Sequence, residues 1–228
     1  MTPTQLKDRF RLDMDDVPEH PDDTSGCLWS DDEIYDYLDE AQQKFVYETR
    51  YLFATLPVHI LPGEVSIPLP RKLINLREAT LLVDGEEYPV DRTNLAGTDN
   101  VIEDYGRLFN MTHASRHRNR MRITLDHTAD TLTILPPPDN EVEITLNAFV
   151  EARPIAECNG QMEVTNDRHQ RIILSGAKSL GYRKQDSQTY NPNQMVFFEN
   201  EFLTGIQEVY GERMRQRRTP GTIAYGGL

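Results

Sequence analysis

Between residues 58 and 153 the spacing of apolar residues is strand-like, and on either side of that stretch it is helical. The runs EVSIPLP, ATLLVDGEEYPV, RITLDHTADTLTILPPP and EVEITLNAFVEARP are rich in Val, Ile, Thr and Leu. They alternate in part and are punctuated by Gly, Pro and Asp. Asp84-Gly85 is a hairpin signal. Met121–Leu125 and Thr131–Leu135 read as a second hairpin across His127–Asp130. Pro136, Pro137 and Pro138 stop that strand, and Glu141–Val150 reads as another. About five or six antiparallel strands are expected, with residues 93–119 as an irregular or partly helical excursion. A β unit entered from a helix and left into a helix must bring its own two ends together. The expected fold is therefore α+β. A helical bundle core (1–57 and 154–217) carries a β-rich insertion (58–153) between its first main helix and its last two, and an extended tail (218–228) follows.

The helical parts carry strong boundary signals. Residues 1–15 read as a short helix or turn with Leu6, Phe10 and Leu12 available to pack, and DDVPEHPDDTSG then breaks regularity. A helix follows over roughly 30–55. Ser30 can cap it, and Glu33 three residues later completes a capping box. Trp29 and Ile34 have the spacing of a hydrophobic staple. Ile34, Leu38, Ala41, Phe45, Thr49 and Leu52 form one face, and Pro57 is read as the stop. Thr165 or Asn166 can cap a helix running to about Arg183. Asn191-Pro192 then places a cap before a proline at a first helical position. The helix that follows, to Arg217, would be about 40 Å long at ~1.5 Å per residue. Met195, Phe198, Phe202, Ile206, Val209 and Arg213 keep helical spacing along it. The closing TPGTIAYGGL has no periodicity.

Charge and cysteine content narrow the function. With 24 basic and 37 acidic residues the net charge is −13. Phosphate binding needs clustered Lys and Arg, so non-specific nucleic-acid binding is disfavoured as the main activity. The two cysteines, Cys27 and Cys158, form no CxxC and no His–Cys spacing, which argues against a structural zinc site and leaves at most one disulfide. The first residues, MTPTQLKDRF, lack the apolar core of a signal peptide. The runs TLLV and MVFF are too short to span a bilayer.

Asp31, Asp32, Glu33, Asp36, Asp39 and Glu40 place six carboxylates in ten residues. The first three suit a helix N-terminus, whose unpaired N–H groups favour negative charge. The others could serve as a catalytic acid/base pair, but a like-charged helical stripe more commonly faces solvent. No EF-hand spacing is present. Among His20, His59, His113, His117, His127 and His169, only His113 and His117 stand i,i+4, and HASRH is not HExxH. Arg116, Arg118, Arg120 and Arg122 form the most basic run. They suit either phosphates or an acidic neighbour such as another copy of this chain. Arg213, Arg215, Arg217 and Arg218 exceed what a helix C-terminus needs, which points to a partner at that end. Ser175-Gly176 lacks the first glycine of a nucleophile elbow. No catalytic, cofactor-binding or metal-binding residues are assigned.

The order of LKDRFRLDMDD, LWSDDEIYDYLDEAQQKFVYETRYL, a β-rich centre ending in LTILPPP, RHQRIILSGAKSLGYRKQDSQTYNPNQMVFFENEF and a terminal TPGTIAYGGL resembles the head-to-tail adaptor (connector) proteins of tailed bacteriophages. These are the portal adaptors also described as tail tubular protein A-like. The resemblance covers essentially the whole chain. It is sharpest at the Trp-Ser-Asp-Asp-Glu helix start with Asp39-Glu40-Ala41-Gln42.

This resemblance implies a non-enzymatic virion protein of the neck, assembled in the host cytoplasm, with no cofactor and no membrane contact. It implies a ring, usually of twelve copies, beneath the portal protein, with helices around the channel for genomic DNA. The β part would face the next tail component: a tail tube, nozzle or stopper. The C-terminal segment would embrace the portal. On this chain that contact falls on Arg217, Arg218, Thr219, Pro220, Ile223, Tyr225 and Leu228. The spacing of Ile223, Tyr225 and Leu228 separately suits an extended segment filling alternate pockets. Arg116, Arg118, Arg120, Arg122, Asp36, Asp39 and Glu40 are expected to contact neighbouring copies or a partner. Two other readings stand beside it. One is a virion-associated peptidoglycan-cleaving enzyme using Asp36 and Glu40, and the other is a different neck or tail-tube component.

Overall fold

A computed structural model describes residues 1–19, 26–83, 86–89, 91–92, 122–126, 130–135, 137–158, 160–185 and 189–217. The chain forms two compact units, one of residues 1–52 and 152–228 and the other of Phe53–Glu151. The described helices all lie in the first and the described strands all in the second. The class is mixed α+β with a long C-terminal helix.

The helical unit has four α-helices: α1 (Pro3–Asp13), α2 (Asp31–Thr49), α3 (Asp167–Arg183) and α4 (Pro192–Arg217). Each N-terminus is built from side chains its sequence supplies. Thr2 and Gln5 form a capping box on α1, ahead of Pro3 at its first position. Ser30 and Glu33 form the same box on α2. The Asn166 side chain accepts from the N–H groups of Arg168 and His169 at the start of α3. Asn191 accepts from Gln194 N–H at the start of α4. Trp29 and Ile34 are both buried, as the staple requires.

α2 is shorter than its apolar spacing predicts. Arg50 takes a left-handed conformation and ends it. Phe53–Ile60 is strand, not helix, and Pro57 lies within that strand. Residues 54, 56, 58 and 60 are its less exposed side, so a period of two replaces the helical period after Arg50. In α1, Leu6 and Phe10 are buried, but Leu12 is 59% exposed and Arg11 takes the inner position instead.

α3 runs through the middle of the unit, with residues 173–179 all buried. Two glycines let its neighbours approach. A Cβ at Gly176 would stand 3.0 Å from Ala41 Cβ of α2 and 3.1 Å from the Phe202 ring of α4. At Gly181 it would stand 2.8 Å from the Phe10 ring of α1. The Trp29 indole sits edge-on to Phe10 and Tyr182 and donates to the Gly181 carbonyl at 3.2 Å.

The strand unit contains β1 (Phe53–Ile60), β2 (Ser66–Pro68), β3 (Leu73–Val83), β4 (Glu86–Pro89), β5 (Asp91–Arg92), β6 (Arg122–Asp126), β7 (Thr131–Leu135) and β8 (Val142–Val150). They form two four-stranded sheets, ordered β1-β8-β3-β4 and β2-β7-β6-β5. Every pairing is antiparallel except the two-residue β5–β6 contact. Both hairpins read from the sequence pair as expected, Val83 with Glu86 and Asp126 with Thr131. Asp84 and Gly85 themselves lie outside the described residues. The expected strand number is exceeded by β1, whose first residues continue the helical spacing of α2, and by β5, which is too short to leave a pattern. Pro57 is tolerated because β1 is a sheet edge, where a missing N–H costs no ladder bond. The apolar core is alternate residues: Val58, Ile60, Ile144, Leu146 and Ala148 in one sheet, and Ile67, Ile123, Leu132 and Ile134 in the other.

Candidate functional site

The acid-rich start of α2 meets cations from two other helices. Lys7 donates to Asp31 at 2.6 Å, and Arg11 donates to the other Asp31 oxygen at 2.6 Å. The same guanidinium reaches Asp16 at 2.8 Å and the Trp29 carbonyl at 2.9 Å. Arg11 and Asp16 side chains are each only 4% exposed, so this is a buried ion pair. Asp16 also accepts from the N–H of Leu28, which fixes the chain entering α2. Burial pushes the Asp31 carboxyl up, but hydrogen bonds from Lys7 and Arg11 outweigh it and hold it below its ordinary range. Glu33 is also held low, first by Lys184 and then by the Ser30 N–H. Lys178 closes a further pair with Asp13 at 2.6 Å. Asp31 and Glu33 thus help to hold α1, α2 and the end of α3 together, while Asp32 stays exposed.

The later acids divide. Asp39 is half-buried and accepts from the Ile155 N–H at 2.9 Å, capping the 3-10 turn Ile155–Cys158. Burial raises its carboxyl above the usual range, and Asp36 and Glu157 add repulsion that the hydrogen bond only partly offsets. Asp36 and Glu40 stay exposed, one turn apart on the outer face of α2.

Glu40 also borders a cleft of about 260 Å³ between α2, α3 and α4. Its apolar lining is made by Ala41, Leu180, Met195 and Phe202. Lys44, Arg183 and Glu199 join Glu40 in its lining, and none of the four has an ion pair among the described residues. Lys44 stands 5.8 Å from the Phe202 ring centroid. The cleft can take an apolar side chain and offers charges of both signs around it.

A second cluster ties the end of α4 to α2. Arg213 donates to the Tyr51 carbonyl at 2.7 Å and stacks over the Tyr51 ring at 5.1 Å. His169 sits edge-on to Tyr51 and tilted against Phe45. Its Nδ1 is buried with no hydrogen-bond partner. Burial first, and then the charges of Arg168 and Arg213, lower its pKa below the ordinary histidine value.

Ser175 is inside α3, with its hydroxyl 2.9 Å from the Glu201 carboxylate and 3.3 Å from the Arg171 carbonyl, two acceptors within reach of one O–H. Cys27 and Cys158 are not joined in a disulfide. Among the described residues no group of His, Cys, Asp and Glu is arranged to hold a metal ion, and no helix is long and apolar enough to cross a membrane. Arg116, Arg118 and Arg120 lie outside the described residues, as do His113, His117 and the tail residues Arg218, Thr219, Pro220, Ile223, Tyr225 and Leu228. Arg122 and Arg217 are described by backbone alone, as the first residue of β6 and the last of α4. Arg11, Asp16, Lys178 and Lys184 did not stand out in the sequence. The available signal was the i,i+4 spacing of Lys7 and Arg11, a basic stripe that answers the acids at 31–33.

No curated protein matches this chain. The family model described as SU10 adaptor protein matches residues 1–224, nearly the full length and both compact units. The chain belongs to the SU10 adaptor protein family, a family of bacteriophage adaptors.

Proposed function

We propose that this protein is a structural adaptor of a phage virion that docks as a ring under the portal and joins the head to the tail. The observation that carries the reading is the family match over residues 1–224. The tail tubular protein A-like subclass, a copy number of twelve and a role in lining the DNA channel belong to the same proposal. α4 supports it physically. It is a 26-residue helix held at its far end by the Arg213–Tyr51 contact, and the chain beyond it carries Ile223, Tyr225 and Leu228 at alternate-pocket spacing. A rigid rod that delivers a short segment to a partner is what an embracing contact with the portal requires.

The acidic character suits a conduit. A negatively charged lumen repels DNA and lets it slide, with Asp36 and Glu40 as exposed candidates to line it. A structure of the assembly with Asp36 and Glu40 on the outside and Arg116–Arg122 on the lumen would sink that part of the proposal.

Native mass measurement of the full chain, alone and with portal protein, tests the whole. The expected result is a largely monomeric free chain and a multi-copy complex with portal, because many weak contacts act together only on a template. Deleting Thr219–Leu228 should weaken portal binding strongly. Unchanged affinity would reject the embracing tail.

A further inference from the structure

α4 has two apolar faces, and among the described residues only one is buried. Phe202, Ile206 and Val209 are buried against the rest of the helical unit. A second stripe, Val196, Asn200, Leu203, Gln207, Tyr210 and Met214, advances by four and three residues in turn and is exposed throughout. Leu203, Tyr210 and Met214 are 36–39% exposed and Val196 is 47% exposed. Phe197, beside the stripe, is 60% exposed. Steps of four and three are the spacing of a seam that packs against another helix.

The stripe carries no charge in a chain that is 27% charged. The exposed charges lie elsewhere on the helices: Asp8 and Arg9 on α1, Asp36 and Glu40 on α2, Arg168 and Arg171 on α3, and Glu201 and Glu208 on another side of α4. Aromatic residues and Met enriched, with charges depleted, is the composition of an interface core.

The occupant is another copy of this chain, and the absence of charge on the stripe admits it. Two copies of a chain with net charge −13 repel one another. A contact face that adds no carboxylates keeps that repulsion low, and this stripe is such a face. Size sets the strength. From Val196 to Met214 the stripe is about 27 Å long at ~1.5 Å per residue. With a helix about 10 Å wide it offers roughly 300 Å² per copy, against ~800 Å² per partner in a stable complex. Such a face is too small to hold a free pair together, but it can join copies that a template already holds side by side. Asn200 and Gln207 would fix the register, as single amides do in helical seams.

We propose that the exposed Val196–Met214 stripe of α4 is the face through which one copy of this chain packs against the next. The inference rests on the ring reading above and adds the surface that closes it.

The test is native mass measurement of the full chain mixed with portal protein. It compares the natural sequence, Leu203→Glu/Tyr210→Glu, and a charge-matched control, Thr4→Glu/Gln43→Glu, whose sites are exposed on α1 and α2. The expected result is that the natural sequence and the control load as multi-copy complexes. The stripe variant should need roughly tenfold more protein or more, the scale of losing an interface hot spot. Far-UV circular dichroism checks that it still folds, and Leu203→Gln replaces it if it does not. Normal loading by the stripe variant would reject this face and leave the ring reading standing. Equal failure of both variants would assign the effect to net charge and also reject the face. Failure of the natural sequence to form any multi-copy complex would remove the ring reading and this inference together. A photo-crosslinker at position 203 should join a second, isotope-labelled copy. Adducts confined to portal protein, or to the same chain, would name a different occupant and overturn the proposal.

Discussion

The two compact units are specified by different physics. Among the described residues of the strand unit, Thr124 is the one buried polar side chain. Its interior is otherwise alternate aliphatic residues, held by the strand ladder. The helical unit buries Arg11, Asp16, Gln42, Gln170 and Lys178 among its apolar side chains. Gln42 accepts from Val164 N–H and donates to the Arg153 carbonyl, while Gln170 donates to the Val164 carbonyl. A period-two pattern tolerates any aliphatic residue of the right size. A buried ion pair tolerates almost nothing, since removing one partner strands the other.

Arg11→Met probes that contrast most sharply. It leaves Asp16 buried without its cation and should cost about 3–5 kcal/mol. Urea unfolding followed by fluorescence of the sole tryptophan, Trp29, which lies in the helical unit, reads it directly. A loss under about 1 kcal/mol would mean the pair does not specify this unit. In the strand unit, Ile144→Ala should cost about 3 kcal/mol through the cavity it leaves, read from far-UV circular dichroism against urea. Ile144→Val should cost only about 1 kcal/mol. That graded response is the signature of a core set by size rather than by partners.

Asp39 separates acceptor from charge within the helical unit. Asp39→Ala removes the cap on Ile155 N–H and should cost about 1 kcal/mol. Asp39→Asn keeps an acceptor and removes repulsion from Asp36 and Glu157, so at neutral pH it should be neutral or stabilising in thermal melts. The sign follows from the raised carboxyl: its charged form is the one the fold disfavours, and that penalty grows as pH rises through its pKa.

The smallest effect is at His169. Its lowered pKa means that the folded state favours the neutral ring. Stability from this residue is complete above the unfolded value near pH 6.5. It declines as pH falls from there toward the lowered folded value and then levels off. His169→Phe should flatten that part of the pH–stability profile measured by urea midpoints between pH 7.5 and 5. An unchanged slope would assign the dependence to other groups.

The same division decides what could be read from the sequence. Ser30, Glu33, Trp29 and Ile34 act through local spacing, so the start of α2 was legible to the residue. So was the Asn191-Pro192 start. Asn166 was one of two caps the sequence offered, with Thr165, and both hairpins were legible to within a residue or so. The end of α2 was not. Thr49 and Leu52 continue the helical period, and only the left-handed Arg50 shows where the chain turns. The mixed α+β class followed from the change of period alone. The cations around Asp31 were hidden because such a pair is chosen by tertiary approach, from partners 20 and 24 residues apart in the chain. For the same reason the candidate contacts Asp36, Asp39 and Glu40 looked like one group and proved to occupy three settings: open surface, an internal cap and the border of a cleft.

The glycine contacts of α3 bear on how the chain is made. The Trp29 indole waits for the Gly181 carbonyl, 152 residues later. At roughly 5–20 residues per second of synthesis, that delay is about eight to thirty seconds. In that time the whole of β1–β8 emerges, while Leu6, Phe10, Trp29, Ile34 and Leu38 have no α3 to cover them. The nascent helical face is therefore the sticky species in the life of this protein. The exposed acids of α2, Asp36 and Glu40, give that half-built unit a charged outer side, and like charge opposes association between nascent chains.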